Sequence, residues 1–443
     1  MRASFFCVDK DIDNGRVNDR IYPIEPRGKK RMRISGSGLS IAVCLSYIFI
    51  SSGISHAQLT NKELPDRTGL KLSSYNNARA HAAFKTEERI DTNIFLDNTD
   101  RKLDSITILE PSIGLDLPLG ENSLSADYDV GIYLYGKYTD QGHVDQKARA
   151  LAEFNLSDYK VTPKDTFRIF TDRASNESSQ RIKQEINNFR TGIEAQFEKL
   201  IFDAGYTNLW EAYESDQAFY GPLTYEDKDR FSNIIDITAS YRVLPKTYLL
   251  IENDLGFVHY YNSSEVPGSW YDETVAGIKG EWFSKSDVNF RAGLRYQHYD
   301  SSDLLAYKAY TGAVMRGGFN YYPTEDDTIA LSLERSIYES TYSNINYYTL
   351  NAVGLDYKHK FNDKISLNLF GTYQFHQYPS ETTENGVTAE RYDNYCSGGA
   401  SLRYDIRKWI SVEVRQEYTQ KVSKFDIFDY VDNVTSVRGT IGF

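Results

Sequence analysis

The sequence predicts an all-β fold, a closed antiparallel transmembrane β-barrel of about 18 strands, within a range of 16–20. Polar and apolar residues alternate along most of the chain with the period of two that is typical of strands. Alternating segments such as 246–261 exceed the length of about 5–6 residues that is usual in globular strands. Aromatic residues make up 14% of the chain, with 35 Tyr and 23 Phe, as expected of barrels that anchor rings at both membrane interfaces.

Residues 1–57 are predicted to be a signal peptide region. A basic cluster at 29–33 precedes an apolar stretch at 39–54, and small residues follow it. Cleavage after Ala57 would leave Gln58 as the first residue of the mature chain. Because residues 1–31 are polar and charged, and a start at Met32 would give a signal peptide of normal length, we expect translation to start at Met32.

Residues 58–78 show little alternation and are expected to form a periplasmic or lumenal N-terminal segment. The barrel domain then covers residues 79–443. Cys396 is the only cysteine after the predicted cleavage site, so the sequence excludes an intrachain disulfide in the mature chain. The whole chain has a net charge of -12, which argues against nucleic acid as a partner.

Eighteen alternating segments can be counted between turn signals. The predicted strands start near residues 79, 104, 123, 143, 164, 185, 199, 229, 246, 270, 287, 306, 327, 346, 364, 389, 408 and 427. Short connections such as Leu244-Pro245 alternate with longer polar ones such as 175–184, 215–227 and 379–388. This alternation predicts short periplasmic turns and longer external loops, with both ends of the barrel domain in the periplasm.

The last strand carries a candidate assembly signal. Val437, Ile441 and Phe443 share one apolar face, and Phe443 is the final residue. This pattern resembles the terminal signal by which bacterial outer-membrane barrels are recognised for assembly. A soluble edge strand could show it once, but here the alternation repeats along the chain.

The polar faces of the strands are predicted to line the lumen, where acidic and basic residues are mixed. The candidate lining residues are Asp127, Asp129, Arg190, Glu194, Asp236, Arg242, Glu252, Asp254, Arg291, Arg295, Glu413, Arg415, Glu417 and Arg438. Mixed charges at this density favour cross-strand pairs that support the wall, and some of them could instead form a selective constriction. Tyr133, Tyr135, Tyr299 and Tyr395 also fall on polar faces, where rings can pack internally or stack on sugars.

Catalytic signals are weak, and no enzyme activity is expected. The sequence has no Gly-x-Ser-x-Gly motif and no phosphate-binding loop. Its histidines are not spaced with Cys or acidic residues as a metal set, so no metal and no cofactor are predicted.

Several segments resemble the beta-barrel porin 2 family. They are Arg89 to Phe95, Ile108 to Leu115, Leu124 to Tyr138, Tyr241 to Thr247 and Gly354 to Phe361. The resemblance covers about residues 80–443 and implies an outer-membrane barrel. Members of the family are often associated with exopolysaccharide export, and the resemblance implies no catalytic residues.

The sequence leaves three functions open. The first is a conduit for surface exopolysaccharide, the second a general or selective diffusion porin, and the third a non-conducting structural or surface barrel. The expected partners are outer-membrane lipid, the barrel assembly machinery and a periplasmic polysaccharide export protein. A barrel of 16–18 strands is wide enough for an aqueous channel unless it is filled.

Overall fold

The fold is described from a computed structural model. It describes residues 69–72, 77–173, 177, 180–215, 217–263, 265–300, 309–342 and 345–442. The predicted signal peptide with Ala57 and Gln58, and the final Phe443, lie outside the described residues.

Eighteen antiparallel strands in the described residues form one sheet that closes into a barrel. The strands are β1 Arg79–Asp91, β2 Asp104–Leu119, β3 Asn122–Tyr135, β4 His143–Leu156, β5 Lys164–Arg173, β6 Arg181–Gln196, β7 Leu200–Glu214, β8 Arg230–Leu244, β9 Thr247–Tyr260, β10 Ser269–Gly280, β11 Ser286–Tyr299, β12 Tyr310–Tyr321, β13 Asp327–Glu339, β14 Tyr347–Asn362, β15 Ile365–Glu384, β16 Val387–Arg407, β17 Ile410–Ser423 and β18 Tyr430–Gly442. Each strand pairs with the next, and β18 pairs with β1 from Ala83–Gly442 to Asp91–Val434.

The predicted fold class and the predicted strand number are confirmed. Five of the strand starts match the predicted positions and eight differ from them by a single residue, and the largest differences are Arg181 for 185 and Tyr310 for 306. Strand ends are the least certain part of a sequence-based assignment, because pairing can continue into polar sequence wherever a partner strand is present.

The two ends of the barrel differ in their connections. At one end, which we call the terminus end, β1 starts and β18 stops, and tight turns join β2 to β3 and β14 to β15. Gly120 adopts a φ of +70° in the first of these turns, a conformation that favours glycine. At the other end, which we call the loop end, most connections are longer, as the sequence predicts.

One predicted loop is instead a projecting hairpin. The polar segment 379–388 was expected to be an external loop, but β15 and β16 continue through it to a two-residue turn at Asn385 and Gly386. Both turn residues have positive φ, +50° and +79°, as a tight hairpin turn requires. Pro379, which cannot donate to the ladder, lies where the register shifts between Gln377 and Glu381.

Several short elements lie outside the eighteen barrel strands. Single 3-10 turns lie at the loop end, at Thr139–Gln141, Tyr225–Lys228 and Asp426–Phe428. Two-stranded pairings add Leu70–Lys71 to the start of β1 and join Ala218–Tyr220 to Leu223–Thr224, and Tyr159–Val161 pairs between β4 and β6. Within the described ranges, no helix is long and apolar enough to cross a membrane.

Candidate functional site

The two faces of the wall are chemically different. On β8, Ile235 and Ile237 are 47% and 55% exposed on the outer face. Asp236, between them, accepts a hydrogen bond from Arg190 Nη2 of β6 at 2.8 Å. Because β7 lies between β6 and β8, these two side chains can meet only on the concave, lumenal side of the sheet.

The Arg190–Asp236 pair passes over a glycine. Gly205 of β7 is paired with Asp236 across the ladder, and a Cβ atom on Gly205 would lie 2.6 Å from the Asp236 carboxylate. Asp203 lies 3.5 Å from Arg190 on the same strand as Gly205. The absence of a side chain at Gly205 therefore permits an ion pair that ties three strands together.

A larger ion-pair group covers β9 to β12. The Arg316 guanidinium of β12 bonds both Glu252 and Glu273 and lies 3.3 Å from Asp254. Arg291 Nε donates to Glu252 Oε2 at 2.8 Å. Arg295, 3.6 Å from Glu273, stacks over the Tyr271 ring at the same distance from its centroid.

A third group of ion pairs lies where the first and last strands of the barrel meet. Arg438 of β18 donates to Glu87 of β1, its direct cross-strand partner, at 2.8 Å from Nε. On β17, Glu413 is paired with Arg438 across the ladder, and Arg415 donates to Glu417 at 2.8 Å. The first and last strands are thus joined by a charged side-chain pair as well as by backbone hydrogen bonds.

The remaining candidate lining residues lie apart from these groups. Asp127 and Asp129 approach Arg149 at 3.4 and 3.9 Å on β3 and β4. Glu194 accepts a hydrogen bond from Gln196, and Arg242 donates to the Glu198 carbonyl near the terminus end. The predicted residues therefore form several wall-supporting groups, and a single constriction ring among them stays a prediction.

The loop end contains an element that the sequence reasoning missed. The ladder between β12 and β13 stops at Met315–Arg335, whereas β13 and β14 stay paired up to Glu339–Tyr347. Between Arg335 and the loop end, the β13–β14 hairpin bends into the lumen instead of following β12. We call residues 336–342 and 345–350 the inward hairpin.

One side of the inward hairpin packs on the inner wall of β9 to β12. Ile337 and Tyr347 are buried against Tyr299 and Tyr310. Glu339 accepts hydrogen bonds from Gln297 Nε2 at 2.7 Å and from the hydroxyls of two lumenal tyrosines and a serine. The three hydroxyl donors are Tyr260, Tyr299 and Ser269.

The other side of the inward hairpin contacts the neighbouring strands β15 and β16 and the connection between β5 and β6. Tyr342 donates to Glu384 of β15 at 2.5 Å, and its ring lies under the Arg391 guanidinium of β16 at 4.3 Å. Glu177, in the connection between β5 and β6, accepts hydrogen bonds from Ser340 Oγ at 2.6 Å and from the Thr341 amide at 2.7 Å. The inward hairpin is therefore held at the loop end by the inner wall of β9 to β12, by β15 and β16, and by the connection between β5 and β6.

A buried lysine borders the inward hairpin. Lys228, in the 3-10 turn between β7 and β8, is 1% exposed and interacts electrostatically with Glu339 and Glu177. Burial lowers the pKa of its ammonium group to about 8, because the charged form loses hydration.

The predicted lumenal tyrosines are internal packing residues. Tyr133 stacks on His143 with 4.4 Å between ring centroids, Tyr135 packs in the same cluster, and Tyr299 stacks on Tyr347. Tyr395 is buried. A signal for the inward hairpin is present in the sequence as four tyrosines within 338–348, which are apolar enough to pack and polar enough to face a wet lumen.

Metal ligation is not indicated. No group of three or more His, Cys, Asp and Glu side chains with metal-binding geometry occurs in the part of the chain that the structure describes.

The family described as putative beta-barrel porin 2 matches residues 79–441, which confirms the resemblance seen in the sequence. No curated protein sequence matches the chain.

Among solved structures, Pseudomonas aeruginosa OpdK with vanillate is 11% identical with a TM-score of 0.44, covering 82% of this chain and 99% of its own. Acinetobacter baumannii OccAB3 is 10% identical with a TM-score of 0.44, covering 83% and 99%. P. aeruginosa OccK9 (OpdG) is 8% identical with a TM-score of 0.45, covering 83% and 98%. These values are too low to indicate a shared function.

Proposed function

The chain belongs to the family described as putative beta-barrel porin 2, and we propose that it is a gated outer-membrane conduit for surface exopolysaccharide. As a porin-like barrel it would cross the outer membrane with its apolar outer face against lipid. The association of the family with exopolysaccharide export supports the substrate, and the polar inner wall, which carries both acidic and basic residues, suits a hydrated polymer.

The inward hairpin is the observation on which the proposal rests. A conduit wide enough for a polymer must be closed when no polymer passes, because an open barrel of 18 strands would leak small solutes. The inward hairpin closes the loop end largely through hydrogen bonds to Glu339 and Glu177 and through ring contacts of Tyr342. Since the ladder with β12 ends at Met315–Arg335 and the ladder with β15 ends at Thr349–Gln377, the part of the hairpin beyond these pairs can swing outward without opening the rest of the wall.

The proposed orientation places the loop end outside the cell. The terminus end would then face the periplasm, where a periplasmic polysaccharide export protein would deliver polymer. Insertion by the barrel assembly machinery, following cleavage of the predicted signal peptide after Ala57, completes the proposed route to the membrane.

Planar-bilayer conductance of refolded residues 58–443 tests the proposal. We compare the wild-type chain with a shortened-hairpin variant, in which Asn-Gly replaces 340–346 and Glu339→Ala removes the carboxylate. We expect low conductance from the wild-type chain and a large, steady conductance from the variant. Glu214→Ala, which removes an exposed partner of Lys183 at the loop end, is the control and should leave the conductance low.

Gene deletion tests the substrate. If the proposal is correct, cells lacking the gene lose their surface polymer, and the wild-type gene restores it. Intact polymer after deletion would overturn the export function, and no conductance from a folded shortened-hairpin variant would indicate a structural barrel instead.

A selective diffusion porin is the second candidate. The observation that favours it is the same infolded element, because a structure that narrows the lumen can also select small solutes. A steady conductance from the wild-type chain, together with intact surface polymer after deletion, would support this function.

A further inference from the structure

We propose that Lys147 and Arg168, on the lumenal faces of β4 and β5, form a binding site for anionic sugar residues. This inference rests on the proposed function as a polysaccharide conduit and names the class of polymer, an acidic glycan with carboxylate or sulfate groups. The site lies on the opposite side of the barrel from the strands that carry the inward hairpin.

The two cations are direct cross-strand partners. Lys147 and Arg168 are paired in the ladder between β4 and β5, where opposed side chains have Cβ atoms about 5 Å apart. Like charges at such positions repel and destabilise a sheet. In the ranges that the structure describes, neither side chain has a carboxylate within ion-pair distance or a hydrogen-bond partner.

Arg168 is held by an aromatic ring. Its guanidinium carbon lies 4.3 Å from the centroid of Phe170, two residues further along the same face. A stacked guanidinium keeps its N–H donors in a fixed plane and can bind a carboxylate or sulfate with two parallel hydrogen bonds. Phe170 also gives the site an apolar surface beside the charges.

The nearby carboxylates that the structure describes do not lie within ion-pair distance of the two cations, although Asp129 of β3 is the ladder partner of Lys147 and Asp172 lies on the same face of β5 as Arg168. Asp127 and Asp129 approach Arg149, and Asp145 accepts a hydrogen bond from the Thr171 amide at 3.0 Å. Lys164 adds a further cation on the same face of β5 as Arg168 and is paired in the ladder with Arg190. Lys147 and Arg168 are thus adjacent lumenal cations that form no ion pair with the carboxylates described around them.

Arg415 is a second lumenal arginine that stacks on a ring, and its charge is matched by a carboxylate of the wall. Arg415 stacks over Phe370 at 4.1 Å, a geometry close to that of Arg168 on Phe170, but it also donates to Glu417 at 2.8 Å. The cations of the group on β9 to β12 are likewise matched by carboxylates. The unmatched pair at Lys147 and Arg168 is therefore suited to an anion that enters from the lumen.

Binding of defined oligosaccharides to refolded residues 58–443 tests the site. The probes are an oligogalacturonate, a sulfated oligosaccharide of similar length and a neutral malto-oligosaccharide, measured by isothermal titration calorimetry. We expect the acidic probes to bind, the neutral probe to bind poorly, and the affinity to fall as salt rises. The double variant K147Q/R168Q should bind the acidic probes about tenfold or more weakly.

The matched control is Arg415→Gln, which removes a stacked lumenal cation that has its own acid and should leave the affinity unchanged. Circular dichroism and the heat-modifiable gel migration of folded barrels establish that each variant is folded. Preference for one acidic probe distinguishes carboxylate from sulfate.

Equal affinity of the double variant and the wild-type chain, or equal affinity for neutral and acidic probes, would overturn the inference. Because binding is measured without conduction, these outcomes are separate from a failure of the conduit function.

Discussion

At the scale of single residues, Arg391 shows how the loop end is held together. Its side chain is 1% exposed, donates to Asp393 Oδ2 at 2.7 Å, and lies over the ring of Phe428 at 3.7 Å. The ring of Tyr342 from the inward hairpin covers it from another side. One guanidinium therefore links the wall of β16, the connection before β18 and the hairpin tip.

Arg391→Gln should lower the free energy of unfolding by about 3–5 kcal/mol, because it leaves the buried Asp393 carboxylate without its main partner. Lys421, 3.2 Å from Asp393, keeps the loss near the lower end of that range. Urea unfolding in lipid vesicles, followed by tryptophan fluorescence, measures the change. The control Arg403→Gln removes a less buried partner of Asp405 and should cost about 1 kcal/mol or less. Equal losses in the two variants would contradict the role of Arg391.

If the inward hairpin closes the mouth as proposed, we expect Lys228 to make that closure dependent on pH. Burial holds its pKa at about 8, against an ordinary value of 10.5 that an exposed ammonium would regain if the inward hairpin swung out. Between these values the closed mouth binds fewer protons than the open mouth, so raising the pH through this window favours closure.

We therefore expect the open probability in planar bilayers to fall between about pH 8 and about pH 10.5. Lys228→Met removes the titrating group and should flatten the profile. The groups around Lys228 that set the field are Glu339, Glu177, Asp227 and Arg230, and they are unchanged in this variant. An open probability of the wild-type chain that rises with pH would contradict the expected direction of the change.

At the scale of elements, strand periodicity could be predicted because each strand has one wet and one lipid-facing side. The alternation of Ile235, Asp236 and Ile237 is a local property of the chain and can be read from the sequence. The extension of β15 and β16 could have been found from Asn385-Gly386, which is a hairpin turn signal. The bend of β13 and β14 into the lumen could not be predicted from the sequence, because the break in the β12–β13 ladder depends on pairing between distant residues.

Single substitutions on β8 and β9 can test which face of the strands contacts lipid. Ile251 of β9 is 55% exposed on the outer face, and its ladder partners Ala239 and Ala276 are also apolar. Ile251→Arg should destabilise the barrel in lipid by about 2–4 kcal/mol if this position lies near the membrane midplane. Thr238→Arg, one strand away and facing the lumen 3.5 Å from Glu252, should cost much less. Similar losses from both variants, measured by urea unfolding, would mean that Ile251 does not face lipid.

At the scale of the whole molecule, closure of the barrel could be predicted from the sequence, whereas the contacts between side chains in the lumen could not. An even number of long alternating strands requires a partner for the last strand, and β1 is that partner. The separate groups of charges could not be predicted, since Arg316 meets Glu252 across two intervening strands. Only the curvature of the closed sheet brings such residues together.

Assembly of the whole barrel should depend on the last strand. Val437 and Ile441 are 48% and 43% exposed on the outer face, as the candidate assembly signal requires. Deletion of Phe443 should reduce the amount of heat-modifiable barrel in outer-membrane fractions several-fold, whereas Phe443→Tyr should keep most of it. Full recovery of the deletion variant in that fraction would remove Phe443 from the signal.

In the proposed orientation, the inward hairpin also determines which residues are exposed on the cell surface. Its tyrosine-rich tip is folded under the loop end, while the β15–β16 turn at Asn385 and Gly386 projects as the end of the longest strands. Antibodies raised against whole cells should therefore recognise the projecting turn, and a short epitope inserted beside Ser340 should stay hidden until the hairpin moves. A bacteriophage that binds this barrel would meet the projection first and would reach the tyrosines only on a cell that is exporting.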